Sequence, residues 1–296
     1  MLDFNHLNLC RRTLSASLKH LQRPDFKIRL PKPLGCFKQL AGTHFHSQPE
    51  IFFQIGGRTE FRFPHEKINL FAGEALVVPR GLPHNEITHK WRSDFKTLVI
   101  YFFPHEGIYT HTAVENAKGT SDIIVSEFFK TRQGALIAQH LNDMSELLTG
   151  EGSRGDTELE YAIRGLFQTA MAKLLIIIKQ PPVPTDKAIS PKIRECRYFI
   201  MRHLYDPNLS VTTIADHLHC SPDYLSHLFS TETGQHLTEY IQQERMTLAK
   251  QNLGDLSLSI KEIAWSCGYS DPSYFTQVFK GLLGETPRAF RKKLNP

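Results

Sequence analysis

From residue 25 to about residue 105 the apolar residues come in short bursts, "IFFQI", "TEFRF", "INLFAGEALVVP" and "TLVIYFFP", with Gly or Pro every 8 to 12 residues. β-Branched and aromatic side chains dominate these runs, a pattern that predicts short strands in a small β-sandwich or barrel. Ahead of them, Leu7, Leu14, Leu18 and Leu21 fall at helical spacing among charges, which predicts an amphipathic helix lying on that domain. From about residue 121 the period lengthens. Apolar residues at 124, 128, 136, 137, 141, 144, 147 and 148 predict a helix capped by Ser121 or Asp122 and stopped at Gly150. A second helix is expected over residues 156–179, where Leu159, Ile163, Phe167, Ala170, Leu174 and Ile178 lie on one wide apolar stripe. Such a hairpin either covers the barrel or pairs with its copy in a homodimer. "KQPPVPTDKAIS" (179–190) follows, and its three prolines forbid helix and mark a domain boundary.

Everything beyond that boundary reads as helix, and it reads twice. Ile214, Ala215 and Ser221 recur as Ile263, Ala264 and Ser270, offset by 49. Tyr224, Leu225, Phe229 and Gly234 recur as Tyr274, Phe275, Phe279 and Gly284, offset by 50. Each unit is a short Ser-capped helix, a tight turn and a second helix closed by glycine, which is a helix-turn-helix. The alanine is small, so the two helices can cross closely. "TEYIQQERMTLAKQNL" between the units is one amphipathic helix that fixes their separation.

Composition narrows the class without choosing a partner. A chain of 296 residues with 41% hydrophobic and 22% charged residues is expected to be a soluble protein of two domains. Its longest aliphatic run, "LLIII" at 174–178, is far short of the ~20 residues a bilayer needs, and the N-terminus has no unbroken apolar stretch like that of a signal peptide. Five scattered cysteines, never in C-x-x-C, fit a reducing cytoplasm. The net charge of +5 is mild, and residues 188–296 hold 12 Lys+Arg against 11 Asp+Glu. Bulk charge therefore argues little for nucleic acid. Only the tail is one-sided, with Arg288, Arg291, Lys292 and Lys293 facing Glu285 alone.

Pattern says more than charge. The stretch "EIAWSCGYSDPSYFTQVFKGLLGETPRAFR" (262–291), with "YLSHLF" and its spaced Gly, Tyr-Ile and Glu-Arg in the first unit, resembles the AraC/XylS family of bacterial transcription regulators. About 100 residues carry the resemblance; Gly281 and Leu283 depart mildly from it. It implies sequence-specific binding to double-stranded DNA, each unit laying its second helix in a major groove. Setting aside Tyr224, Leu225, Leu228 and Phe229 as core-facing leaves Asp223, Ser226 and His227 to read base edges. Setting aside Tyr274, Phe275, Val278 and Phe279 leaves Ser273, Thr276 and Gln277. Helix starts at Ser210, Ser221, Ser259 and Ser270, with Lys261, Lys280 and Arg291, are expected at phosphates. The family often carries Arg where His227 and Gln277 stand, so one monomer is expected to bind modestly and to need a dimer or bent DNA.

The N-terminal domain holds the other chemistry. His44-x-His46-x3-Glu50-x6-Gly57 and Gly73-x5-Pro79-x-Gly81-x2-His84 resemble the two cupin motifs, with no glycine six residues before His44 and Thr88 where the second motif ends in Asn. In metal-binding cupins those four side chains hold a divalent ion. The same residues serve equally as hydrogen-bonding groups for a sugar, with Trp91 or a Phe as an apolar wall. The expected architecture is an α+β two-domain chain: a cupin-like β-barrel (1–110), a helical hairpin for dimerisation (111–180), a linker (181–190) and an all-α double helix-turn-helix domain (191–296). The expected function is a cytoplasmic homodimeric regulator, an activator rather than an enzyme, that senses a sugar-like effector through His44, His46, Glu50, His84 and Trp91 and works on RNA polymerase. No cofactor is expected; the alternative is a metal held by His44, His46, Glu50 and His84, in a metal-assisted sensor or a metal-dependent cupin enzyme joined to a DNA-binding domain.

Overall fold

The computed structural model describes residues 3–294 apart from 22, 24, 33–42, 44, 47, 90–95, 104–106, 116–120, 132, 150–155, 181–188, 255 and 257. The chain forms two compact units, Met1–Leu34 with Gln48–Val183, and Gly35–Ser47 with Pro184–Pro296.

The first unit runs α1 (Asp3–His20), β1 (Ile28–Arg29), β2 (Glu50–Gly56), β3 (Arg58–Arg62), β4 (Lys67–Phe71), β5 (Ala75–Val78), β6 (Asn85–His89), β7 (Lys96–Phe103), β8 (Gly107–Glu115), β9 (Ser121–Lys130), α2 (Gly134–Glu146) with a 3₁₀ turn (Leu147–Thr149), and α3 (Thr157–Lys179). Two sheets result, ordered β1-β5-β2-β7-β8-β9 and β4-β3-β6. Gly57, at a φ of 69° that L side chains resist, turns the chain from β2 in one sheet to β3 in the other. β2 is buried on both faces, and its alternation explains why. Ile51 and Phe53 join Ile100, Phe102, Ile137, Leu141, Phe167 and Leu174 in a core beneath the helices. Glu50, Phe52 and Gln54 face the smaller sheet, where Phe52 meets Phe61 edge-on at 4.8 Å and Gln54 accepts the Thr59 hydroxyl at 2.8 Å. Each such aromatic or aliphatic burial contributes roughly 1.5–3 kcal/mol.

One expectation fails here. Residues 121–130 are a strand, not a helix: β9 pairs antiparallel with β8 from Gly107↔Lys130 to Glu115↔Ser121. Ser121 and Asp122 therefore cap nothing. The apolar positions at 124 and 128 fit a helical period, but the β-branched Ile123, Ile124 and Val125 fit a strand as well, and an open sheet edge decides between them. The sheet thus extends past residue 110, and the helical hairpin starts only at Gly134. Gly150 and the proline segment 181–188 lie outside the described residues.

Helix α1, with the turn after it, buries Leu14 and Leu21, as the leucine spacing predicts, together with Cys10, while Leu7 and Leu18 pack half-buried on the same core. Its His6 lies between the Thr110 and Thr112 hydroxyls at 3.0 Å each, and its Arg11 donates to the Ile178 carbonyl at the end of α3. By length and composition α3 matches a bilayer-crossing helix, with a mean hydropathy of 1.4. Its Phe167, Ala170, Met171, Leu174 and Ile178 are nonetheless packed into this core, while Tyr161 and Ile176 stand exposed.

The second unit is α4 (Pro191–His203), α5 (Val211–His217), α6 (Pro222–Thr233), α7 (Leu237–Leu253), α8 (Ile260–Ser266), α9 (Pro272–Leu283) and α10 (Pro287–Leu294). Ser190, Ser210, Ser221 and Ser259 each accept a backbone N–H from the first turn they precede, and Ser259 and Glu262 close a full capping box. Gly234 and Gly284 end α6 and α9 in the left-handed conformation. The core is shared by both repeats, with Ile214, Ala215, Leu225 and Phe229 from one and Ile263, Ala264, Phe275 and Phe279 from the other.

Candidate DNA-reading surface and effector site

The repeat is visible in burial as well as in sequence. Residues 221–229 and 271–279 carry the same run of exposed, half-buried and buried positions. Asp223, His227, Ser273 and Gln277 are exposed, while Ser226 and Thr276 are half-buried. The Thr276 hydroxyl donates to the Pro272 carbonyl at 2.9 Å, so it is committed to its own helix. Two expectations are corrected. Tyr224 and Tyr274 are not core-facing: they are 50% and 56% exposed, because the i, i+1 apolar pair at each helix start leaves room inside for only Leu225 or Phe275. Tyr224 instead stacks under the Lys192 ammonium, 5.9 Å from its ring centre. Ser270 does not cap α9. Asp271 does, its carboxylate accepting Ser273 N–H at 2.8 Å. The extra residue of the second unit therefore lies in the turn, 267–271 against 218–221, and shifts the cap by one.

A contact that the motif does not announce ties the α4–α5 connection to the turn of the second unit. Arg245 of α7 donates from Nε to the Leu204 carbonyl (3.1 Å) and from Nη2 to the Asp206 carbonyl (2.7 Å), both in the α4–α5 connection. Its guanidinium also lies 5.4 Å from the Tyr269 ring in the second turn. Burial pushes the Tyr269 hydroxyl and the neighbouring Cys267 thiol up to about 12, so both stay neutral. Gly268 passes between these groups with φ of 77°; a Cβ there would stand 2.4 Å from the Leu204 oxygen and 2.7 Å from Arg245 Nη2. One cation on the spacer helix thus holds the α4–α5 connection and the α8–α9 turn together.

Among the proposed phosphate contacts, Ser210, Ser221, Ser259, Lys261 and Lys280 are exposed and Arg291 is half-buried. Lys261 sits 4.8 Å over the Trp265 ring on the outer face of α8. In the tail, Lys293 is paired with Glu285 at 2.9 Å, which leaves Arg288 and Lys292 as its exposed cations.

Between the two sheets of the first unit lies a buried polar group. Glu50 opens β2, and His84 immediately precedes β6; both are fully buried, with His84 Nε2 3.4 Å from a Glu50 oxygen and 3.7 Å from Glu86. His84 Nδ1 is 3.0 Å from the Leu82 carbonyl, which fixes the ring so that Nε2 faces the carboxylates. Burial alone would lower the His84 pKa; the Glu50 hydrogen bond and charge, with Glu86 beyond, outweigh it and hold the value above the ordinary one. Glu50 pairs across the sheet with Tyr101, and Tyr101 with Tyr109, so the three side chains stand in one row on one face. His111, two residues along β8, stacks 5.9 Å from Tyr101. These three aromatic polar residues were not foreseen, although the alternation in "GIYTHTAVE" carries Tyr109 and His111 and "KTLVIYFF" carries Tyr101. His46 is buried in the segment Gly35–Ser47 that groups with the second unit. His44 and Trp91 lie outside the described residues. The His84 imidazole with the Glu50 and Glu86 carboxylates is chemically suited to a divalent ion.

Comparison with known proteins bears on the helical unit most directly. A family model described as a helix-turn-helix domain matches residues 214–293, both repeats and the spacer helix. The arabinose operon regulatory protein of Escherichia coli (strain K12) is 28% identical over 221 residues, 74% of this chain and 72% of that protein. Residues 214–293 thus form a helix-turn-helix DNA-binding domain of the type found in AraC-like transcription regulators. An uncharacterized HTH-type transcriptional regulator of Bacillus subtilis (strain 168), YfiF, is 36% identical over 129 residues, 44% of the regulator described here and 40% of YfiF. Among solved structures, the C-terminal domain of AraT, a response regulator from Geobacillus stearothermophilus, is 32% identical, covering 36% of this chain and 87% of that one with a TM-score of 0.35.

Proposed function

We propose that the regulator is a homodimeric, cytoplasmic activator switched by a small sugar-like molecule that Glu50 and His84 hold between the two sheets of its first unit. The observation that carries this is the buried Glu50–His84 pair, with Tyr101, Tyr109 and His111 on the same side of the sheet. Carboxylate, imidazole and phenol on one face are the donors and acceptors that the hydroxyls of a polyol can engage. The likeness to the arabinose operon regulatory protein over 221 residues supports a sugar as the ligand class. Binding shifts the population toward the dimer that engages its operator, to the extent that the effector prefers that state.

On DNA, Asp223, Ser226 and His227 read one major groove and Ser273 and Gln277 the next, with Thr276 beside them offering its methyl group and a hydroxyl lone pair. Ser210, Ser221, Ser259, Lys261, Lys280 and Arg291 fix the register on phosphates. The exposed faces of Tyr161 and Ile176 on α3 pair with a second copy, and the basic α10 tail meets DNA or RNA polymerase. No catalysis is assigned. A second reading adds a divalent ion held by Glu50 and His84, where it would polarise an effector oxygen.

A thermal-shift screen of sugars and sugar acids, with and without divalent metals, tests the reading, since a ligand at 100 times its Kd adds about 2.7 kcal/mol. A hit whose shift survives chelation and disappears in Glu50→Gln supports direct recognition. A hit lost on chelation moves the assignment to the metal, and a hit indifferent to Glu50→Gln removes the site.

A further inference from the structure

A cleft of about 680 Å³ opens in the first unit, away from the Glu50–His84 pair, within the size range of small-molecule sites. It lies where the two sheets fail to join: β1 is the edge of the larger sheet and β4 the edge of the smaller one. The first turns of α3 form the opposite wall. On β4, Ile68 and Leu70 turn inward while Lys67, Asn69 and Phe71 alternate outward. Phe71, 40% exposed, Ile28, Leu159 and Ile163 give the cleft an apolar body.

Its charges divide into spent and unspent. Arg29 is forked on Glu74 at 2.9 and 3.4 Å. Arg164 donates to the Leu21 and Phe26 carbonyls and to Glu160. Glu66 accepts the Lys32 backbone N–H. Lys67 and Asp156, both exposed lining residues, have no ion-pair partner among the described residues. Asp156 stands at the N-cap of α3 yet makes no capping bond. Asn69 Oδ1 is buried with no hydrogen-bond partner among the described residues, an acceptor that waits for a donor.

We propose that this cleft binds an apolar α-amino acid: the side chain against Phe71, Leu159 and Ile163, the carboxylate on Lys67, and the ammonium on Asp156 and Asn69. A mixed cleft with one apolar wall, one cation and one anion outside any ion pair among the described residues, and one bare acceptor matches a zwitterion better than it matches either charge alone. Because α3 supplies one wall and the strand edges the other, the ligand would clamp the hairpin to the sheets. The site is independent of the sugar reading.

Calorimetric titration of the full chain with L-leucine, L-phenylalanine and L-tryptophan, and with phenylacetate and phenethylamine as singly charged controls, tests this. At least one amino acid is expected to bind one per chain, and L-phenylalanine about tenfold or more tighter than either control, since each control forfeits a charge-assisted hydrogen bond. Lys67→Ala is expected to erase the preference over phenethylamine and Asp156→Ala the preference over phenylacetate; both positions are exposed, so the fold should persist. Ile163→Trp fills the slot and abolishes binding, whereas Glu50→Gln leaves it unchanged. Failure of all three amino acids to bind, phenylacetate binding as tightly as L-phenylalanine, or amino-acid binding indifferent to Lys67→Ala and Asp156→Ala each overturns the proposal.

Discussion

Arg245 and Gly268 carry more of the DNA-binding unit than their neighbours do, because two backbone turns depend on them. Replacing Arg245 by Ala leaves the Leu204 and Asp206 carbonyls without their donor, which costs roughly 2–4 kcal/mol for a pair of partly buried acceptors. Urea unfolding gives that cost directly. The same variant is expected to weaken binding to every operator alike, since it frees the turns without touching a reader. Gly268→Ala loses about 1–2 kcal/mol to the left-handed backbone alone, and the collision with the Leu204 oxygen adds to it. His219 holds the same left-handed conformation in the first turn, at φ of 52°, and is exposed. Gln277→Ala differs in kind. It is exposed and holds up no other side chain, so stability should stay within about 0.5 kcal/mol, while discrimination at one operator base pair falls by ~1–3 kcal/mol in a competition assay.

At the scale of elements, the α4–α5 pair contains a pH-sensitive contact. Phe199 stacks on His203 (4.0 Å) and lies 4.3 Å from His217. Burial, then neighbouring positive charges, lowers the pKa of both imidazoles below the ordinary 6.5. A depressed histidine is protonated first in the unfolded chain. Stability is therefore complete above about pH 6.5 and falls as the pH drops through the window between that value and the lower folded ones. Thermal melts between pH 5 and 8 should show this decline, and His203→Gln with His217→Gln should flatten it. Helix α8 offers a simpler test: Ser259→Ala opens its capping box at a cost of about 1 kcal/mol. β9 shows how an element can be misread. Its ten residues satisfy both periods, and only the vacant edge of β8 settles which one forms.

For the whole molecule, DNA affinity is expected to rest on two copies. The reading helices present no arginine, and the helical unit is almost charge-balanced, so one copy releases few counterions. A salt titration of monomeric protein should give a shallow slope, and Lys280→Ala should lower it by about one across all sequences. A steep monomer slope sinks the idea. Ile176→Asp with Tyr161→Asp on α3 should convert a dimer to monomer in sedimentation while leaving the melt nearly intact, since both side chains are exposed.

The double helix-turn-helix was legible from the sequence because its determinants are local: serine caps, closing glycines and a 3.6-residue apolar period repeat 49 to 50 residues apart. Glu50 and His84 were legible as a motif, and so was the amphipathic first helix. What the sequence left open depends on residues far apart in the chain. Whether Tyr224 and Tyr274 point inward is decided by how much room Leu225 and Phe275 have already taken. Tyr101, Tyr109 and His111 join Glu50 only through strand register, and the cleft at Lys67 exists only because β1 and β4 do not pair. Local pattern determined which segments of the helical unit coil, because caps and period agree there; sheet edges decided the ambiguous residues 121–130, and packing volume decided which side chains meet.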